Sequence, residues 1–160
     1  MANTQAMTTS FMGQLMTATH NFGVAPIRAG TGVDTFKAAL YLTTATKNAS
    51  TTAFTAADAT EVSGTGYTTG GVAVTFGTVP TATNSSVTAG VAFVTPSASI
   101  TYTTVTLTTA FDAVLIYNST QGDKAVSVHT FGSQTITAGT FTLTMPANTT
   151  STALIRLATT

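Results

Sequence analysis

Apolar and polar residues alternate along much of this chain, and the place where the alternation stops is the most informative. Ala113-Val114-Leu115-Ile116-Tyr117-Asn118 is its most continuously apolar run. Asp112 bounds it on one side, and a turn-rich stretch, 118–124, on the other. A run of this length between turn residues predicts a strand covered on both faces. The turn feeds Ala125-Val126-Ser127-Val128-His129-Thr130-Phe131-Gly132, and the pair is predicted to form a central hairpin.

The other strands read as half-buried. In 35–43, Phe36, Ala38, Leu40 and Leu42 share one face, and Lys37 and Tyr41 take the other. Short strands are predicted at 72–76 and 87–94, with Gly90 as a bulge and Pro96 as the stop. The segment 99–108 is the clearest alternator. Its phase changes near Thr103-Thr104, with Val105 and Leu107 facing one way and Ile100 and Tyr102 the other, as a bulge or a sheet-switching bend would produce. Residues 134–137 lead through Ala138-Gly139 into 140–145, where Phe141, Leu143 and Met145 point inward. A last strand covers 153–158. Residues 51–59 are ambiguous, and Thr55-Ala56-Ala57-Asp58 suits one helical turn.

One helix is predicted near the start. Phe11, Met12, Leu15 and Met16 fall on one helical face, with Ser10 as N-cap and Gly13 weakening the middle. Residues 1–10 carry no pattern and are expected to order only on a partner. About eight or nine strands without helical crossovers give an antiparallel all-β sandwich, jelly-roll or Ig-like. The domain reading is 1–22 as arm and short helix, and 23–160 as the sandwich.

Composition narrows the chemistry. Of the 160 residues, 6% are charged, and the formal net charge is +0. An average domain carries about 25% charged residues. Five scattered cations supply neither the basic surface that nucleic acid requires nor a membrane-binding polybasic patch. No apolar run approaches the roughly 20 residues of a membrane span, and 1–10 lacks the features of a secretory leader. With no Cys, thiolate metal sites, disulfides and Cys nucleophiles drop out together. Roughly a quarter of the chain is Thr, a β-branched residue that wets a strand's outer face without charge. Such a neutral skin suits packing against copies or a partner, and equally suits an ordinary solvated surface.

Candidate catalytic residues are sparse. His20 and His129 stand apart in sequence, and each reads as a hydrogen-bonded or solvent-facing imidazole. His129 alternates with Val126 and Val128 and is expected on the side opposite both. The acids are Asp34, Asp58, Glu61, Asp112 and Asp123. Asp58 and Glu61 would share a face if that segment were helical. A glycosidase needs two carboxylates across a cleft, usually with aromatic platforms, and there is no Trp. Gly64-Thr65-Gly66 lacks the βαβ setting of a dinucleotide loop. Four Asn-x-Ser/Thr matches, at Asn48, Asn84, Asn118 and Asn148, are what a Thr-rich chain yields by chance. No cofactor is expected.

Several stretches resemble a group of small tailed-bacteriophage virion proteins encoded among head genes. They are Thr35-Phe36-Lys37-Ala38-Ala39-Leu40-Tyr41, the segment 61–71 (Glu-Val-Ser-Gly-Thr-Gly-Tyr-Thr-Thr-Gly-Gly), Thr104-Val105-Thr106-Leu107 and Ala113 to Asn118. Lys124-Ala125-Val126 and Phe131-Gly132 extend the likeness, which spans Phe22 to Leu157. The Thr-rich stretch around 81–101 departs from that group.

The resemblance implies a non-enzymatic virion component, a decoration or cement protein on the capsid exterior. Its partners would be the major capsid protein and copies of itself, as a trimer. Phe11, Met12, Leu15 and Met16 are the expected contact residues, and deleting 1–22 is expected to leave a folded domain. The alternative is a receptor- or glycan-binding tip on a fibre or tail.

Overall fold

The computed structural model describes residues 2–23, 32–83 and 90–158. Its elements run β1 (Ala6–Met7), α1 (Thr9–Met16), β2 (Phe36–Leu42), β3 (Val72–Val74), β4 (Thr81–Ala82), β5 (Val91–Val94), β6 (Ile100–Asn118), β7 (Lys124–Leu143) and β8 (Ile155–Ala158). A five-stranded sheet has the order β1-β7-β6-β2-β3, and a three-stranded sheet has the order β4-β5-β8. All strand pairs are antiparallel. The sheets pack together as a sandwich with a short N-terminal helix, as the sequence predicts.

The central hairpin is where the apolar run places it. Val114 and Ile116 point into the main core with Phe36, Ala38 and Leu40. Ala113, Leu115 and Tyr117 point the other way, into a second cluster with Ala39, Tyr41, Ala45 and Phe54. Loop residues Ala45 and Phe54 cover that second face, and the Phe54 ring stacks on Tyr117 at 4.6 Å. Both faces of this hairpin are therefore dry, which is why its sequence does not alternate.

The strands expected as separate pieces at 99–108 and 113–118 are one strand, β6, and β7 is likewise continuous. Together they form a long ribbon that bends back on itself. A straight strand would hold Phe131 and Phe141 roughly 30 Å apart, yet their ring centroids lie 5.2 Å apart. Phe111 closes the bend from β6, at 5.9 Å from Phe131 and 5.1 Å from Phe141. The returning half lies over β2, where the Tyr102 hydroxyl donates to the Ala38 carbonyl at 2.7 Å.

Bulges make the return possible. The register slips between Tyr102 and Val105, and Thr104 takes a left-handed φ of 54°. Ala138 does the same on β7, with φ 47°. The slip at Thr103-Thr104 is thus real, but its effect is a correction of phase. Ile100, Tyr102, Val105 and Leu107 all enter the same core, rather than two opposite faces.

Other expectations change. Residues 51–59 form turns and no helical turn. A short strand, β4, forms between the predicted strands 72–76 and 87–94, where the pattern predicts none. The predicted strand 87–94 is described only from Gly90, and β5 begins at Val91; residues 87–89 lie outside the described residues. Gly64-Thr65-Gly66 is a close-packing device. Thr65 bridges Thr106. A Cβ at Gly64 would stand 2.2 Å from the Thr106 carbonyl oxygen, and one at Gly66 2.3 Å from that of Thr104.

The N-terminal segment is part of this body. Ala6 and Met7 pair with Val128 and Ser127, Thr4 N–H donates to the Lys47 carbonyl, and the Asn3 side chain donates to Leu42 O and Asp112. The stretch expected to order only on a partner is instead laid along the sheet edge. The open edge of β7 offers unpaired main-chain groups, and the bonds made there and by Asn3 and Thr8 offset the entropy of ordering the segment.

Candidate functional site

The four helical residues expected to bind a partner divide into two pairs. Phe11 is fully buried, and Leu15 packs half-buried against the core. Met12 is 46% exposed and Met16 89%. The helix is anchored by Phe11, whose ring meets Phe22 edge-on at 5.9 Å and His20 at 4.9 Å. Thr8, not Ser10, is the N-cap, and its hydroxyl makes no capping bond. It donates instead to the carbonyls of Ala125 and Val126, pinning the helix start to β7. Beside α1 lies a small apolar groove lined by Phe11, Leu15, Phe22, Phe93, Ile155 and Leu157, among others. Of the four predicted residues, Met12 and Met16 are the ones left facing outward.

Below the helix is a buried polar tie. His20 Nδ1 lies 3.0 Å from Asn118 Nδ2, and His20 Nε2 lies 2.8 Å from Gln14 Oε1. Asn118 Oδ1 accepts from the Thr120 and Gln121 N–H groups, which fixes the amide orientation. His20 Nδ1 is therefore the acceptor, and Nε2–H the donor. Asn118 also donates to Asp34 at 2.8 Å, and Asp34 accepts from Asn21 N–H and Gln121. These groups come from the end of α1, the approach to β2 and the hairpin turn. Their function is to join three segments, and Asn118, being fully buried, is closed to glycosylation in the fold.

A cleft of about 550 Å³ opens between β1, β7, β8 and the loop before β8. Gln5, Met7, Ser127, His129, Leu154 and Arg156 are among its lining residues. Here stands a Ser–His contact, His129 Nε2 to Ser127 Oγ at 2.9 Å. Val126 and Val128 do not share a face as expected, because β7 gains a residue opposite Ile116-Tyr117. Val126 enters the main core and Val128 the second cluster. Ser127 and His129 then line the cleft together.

The pair is poorly suited to acyl transfer. Burial pushes His129 down to about 4. A base that weak takes a hydroxyl proton badly at neutral pH, and no carboxylate orients the ring among the described residues. Arg156 donates to the Ser151 carbonyl at the cleft rim.

Asp34, Asp58, Glu61 and Asp112 each accept a hydrogen bond through the carboxylate. Burial would raise Asp58, but hydrogen bonds from Lys47 and Thr60 outweigh it and hold the carboxyl below its usual value. Glu61 is raised by burial, and it accepts from Tyr67 OH and Gly70 N–H. The two do not share a helical face, since no helix forms there. Among the described residues no three His, Asp or Glu gather as metal ligands.

Charge is also unevenly placed. No Asp, Glu, Lys or Arg occurs between Glu61 and Asp112, or between Lys124 and Arg156. β3, β4, β5, the returning half of β6 and nearly all of β7 are therefore charge-free. The outer face of the ribbon carries exposed Thr103, Thr104, Thr135, Thr137, Thr140 and Thr142. The sequence shows this gap plainly once it is sought. The meeting of His20, Asn118 and Asp34 has no local signal, because it depends on chain segments brought together only by folding.

No family model, curated protein sequence or solved structure matches the chain.

Proposed function

We propose that the protein is a structural virion component, a capsid decoration (cement) protein on the exterior of a tailed-phage head. Its partners are the major capsid protein and copies of itself. The resemblance of the stretches between Phe22 and Leu157 motivates the reading. The observation that carries it is the neutral, threonine-faced half of the molecule, which offers shape and main-chain groups rather than charge. Met12 and Met16 add an exposed flexible apolar contact on the helix. Attachment of this kind depends weakly on salt, because little of it is ionic.

The test is made on purified particles. The protein is expected to remain bound through a high-salt wash, and a particle reconstruction is expected to place it on the capsid. Release in moderate salt but not low salt overturns the contact mechanism. Density at the tail overturns the location and favours the fibre-tip reading. Met12→Glu with Met16→Glu is the variant of choice, since both side chains are exposed. Deleting 1–22 would remove Phe11 and Phe22 from the core and so test folding rather than attachment.

A further inference from the structure

We infer that the far end of β7, residues 139–143, is a self-docking edge at which two copies pair antiparallel about a two-fold axis through Phe141. This goes beyond the virion reading and stands or falls without it.

The edge is open. β1 covers β7 at Ser127 and Val128 alone. From Thr130 to Leu143 no main-chain hydrogen bond reaches the outer side of β7 from any described residue. An open edge presents a row of N–H and C=O groups at the spacing another extended chain requires. The stretch is also straight where it matters. Phe141, Thr142 and Leu143 face Tyr102, Thr101 and Ile100 in unbroken register. The bulge at Ala138 bounds this piece on one side and Pro146 on the other.

Proteins usually block such an edge with Lys, Pro or an inward charge. Here no charged residue and no Pro occurs between Lys124 and Pro146. That same feature selects the occupant. A second copy brings an equally uncharged edge, and the net charge of +0 leaves no long-range repulsion to overcome.

The side chains fix the register. A two-fold through Phe141 sets Phe141 opposite its own copy and Thr140 opposite Thr142 of the second chain. Aromatic and threonine pairs are both favourable across strands. The chain already makes the second kind internally, where Thr101 and Thr142 hydroxyls stand 3.4 Å apart. A contact of this symmetry closes at two copies. The trimer expected of a capsid-bound sandwich needs two different surfaces meeting head to tail.

The experiment uses the full chain in solution, with sedimentation and hydrogen exchange followed from low micromolar to near-millimolar protein. A dimer is expected, with amide exchange in 139–143 slowed about tenfold or more as it forms. Thr140→Lys with Thr142→Lys places like charges opposite each other and is expected to give a monomer whose thermal unfolding matches that of the wild-type chain diluted to its monomer. Thr140→Lys with Thr142→Glu pairs opposite charges in the same register and is expected to restore the dimer. A monomer at the highest concentration, a trimer, or a double-lysine variant that still dimerises would each overturn the inference. None of these results bears on where the protein sits in a virion, so the two readings fail separately.

Discussion

The two halves of the β6–β7 ribbon are built from the same pair of strands and obey different rules. Near the turn, Val114 and Ile116 are buried on one side and Ala113, Leu115 and Tyr117 on the other. Past the bend, Tyr102, Val105 and Leu107 are buried, while Thr103 and Thr104 between them are exposed. The turn half is the middle of a three-layer stack, with a loop over its second face. The returning half is an outer layer with one face in water. Each half's sequence follows from how many faces it must keep dry: apolar without interruption in the first, threonine at the outward positions in the second. Burial on both faces fixes the turn half in place. The returning half is free to present a surface, and it is where the charge-free edge lies.

The joint between the halves is the most sensitive point of this arrangement. Phe111 is fully buried, and the rings of Phe131 and Phe141 close on it from the two arms of the bend. Phe111→Ala would leave a cavity bordered by both layers. The expected cost is about 3–5 kcal/mol, read from the shift in denaturant midpoint. A loss below about 1 kcal/mol would mean that the bulges alone hold the ribbon folded.

His129 gives a smaller, pH-dependent effect that separates the halves in another way. It sits on the turn half, yet its ring faces the cleft. Burial lowers its pKa from 6.5 to about 4. The folded protein thus keeps the imidazole neutral where the unfolded chain takes a proton. The stability this represents is fully present above pH 6.5. It is lost progressively as pH falls from 6.5 to about 4, and changes no further below that. His129→Gln, which still offers an amide to Ser127, is expected to flatten the profile over that interval. Comparing the two proteins cancels the titration of Asp58 and the other carboxylates. Parallel profiles would show that the His129 ring titrates as it does in water.

Much of this contrast was legible in the residues. The uninterrupted run at 113–118 announces burial on two faces, and the faces of β2 follow from its alternation. The phase slip at Thr103-Thr104 marks a real bulge, although its consequence, a single core for Ile100, Tyr102, Val105 and Leu107, needs the returning geometry to be seen. The bend was not legible. Residues 109–112 and 133 fall between the short strands that the pattern predicts, and the lone Phe111 among Thr, Ala and Asp does not tell a ribbon folding over from a chain turning. The extra residue at Val126 was hidden for a related reason: a bulge within an apolar run changes the facing of a side chain without changing its polarity. The N-terminal segment misled because its anchors are distant. Thr8 bonds to Ala125 and Val126, and Asn3 to Asp112.

The smallest expected effect is also the one that most directly checks why the halves differ. Thr142 is exposed on the returning half, and its hydroxyl lies 3.4 Å from that of Thr101, a distance at which little energy is held. In the monomer Thr142→Ala should change stability by no more than about 0.5 kcal/mol, since nothing is uncovered or left unpaired. Threonine at such positions is then kept for its surface and its β-branched backbone preference, not for bonds within the molecule. The same exchange in reverse on the turn half has no such freedom. Ala113 is fully buried in the second cluster, so a threonine there would force a hydroxyl and a methyl into packed apolar space. A cost for Thr142→Ala comparable to that of a core substitution would contradict the outer-layer assignment of the returning ribbon.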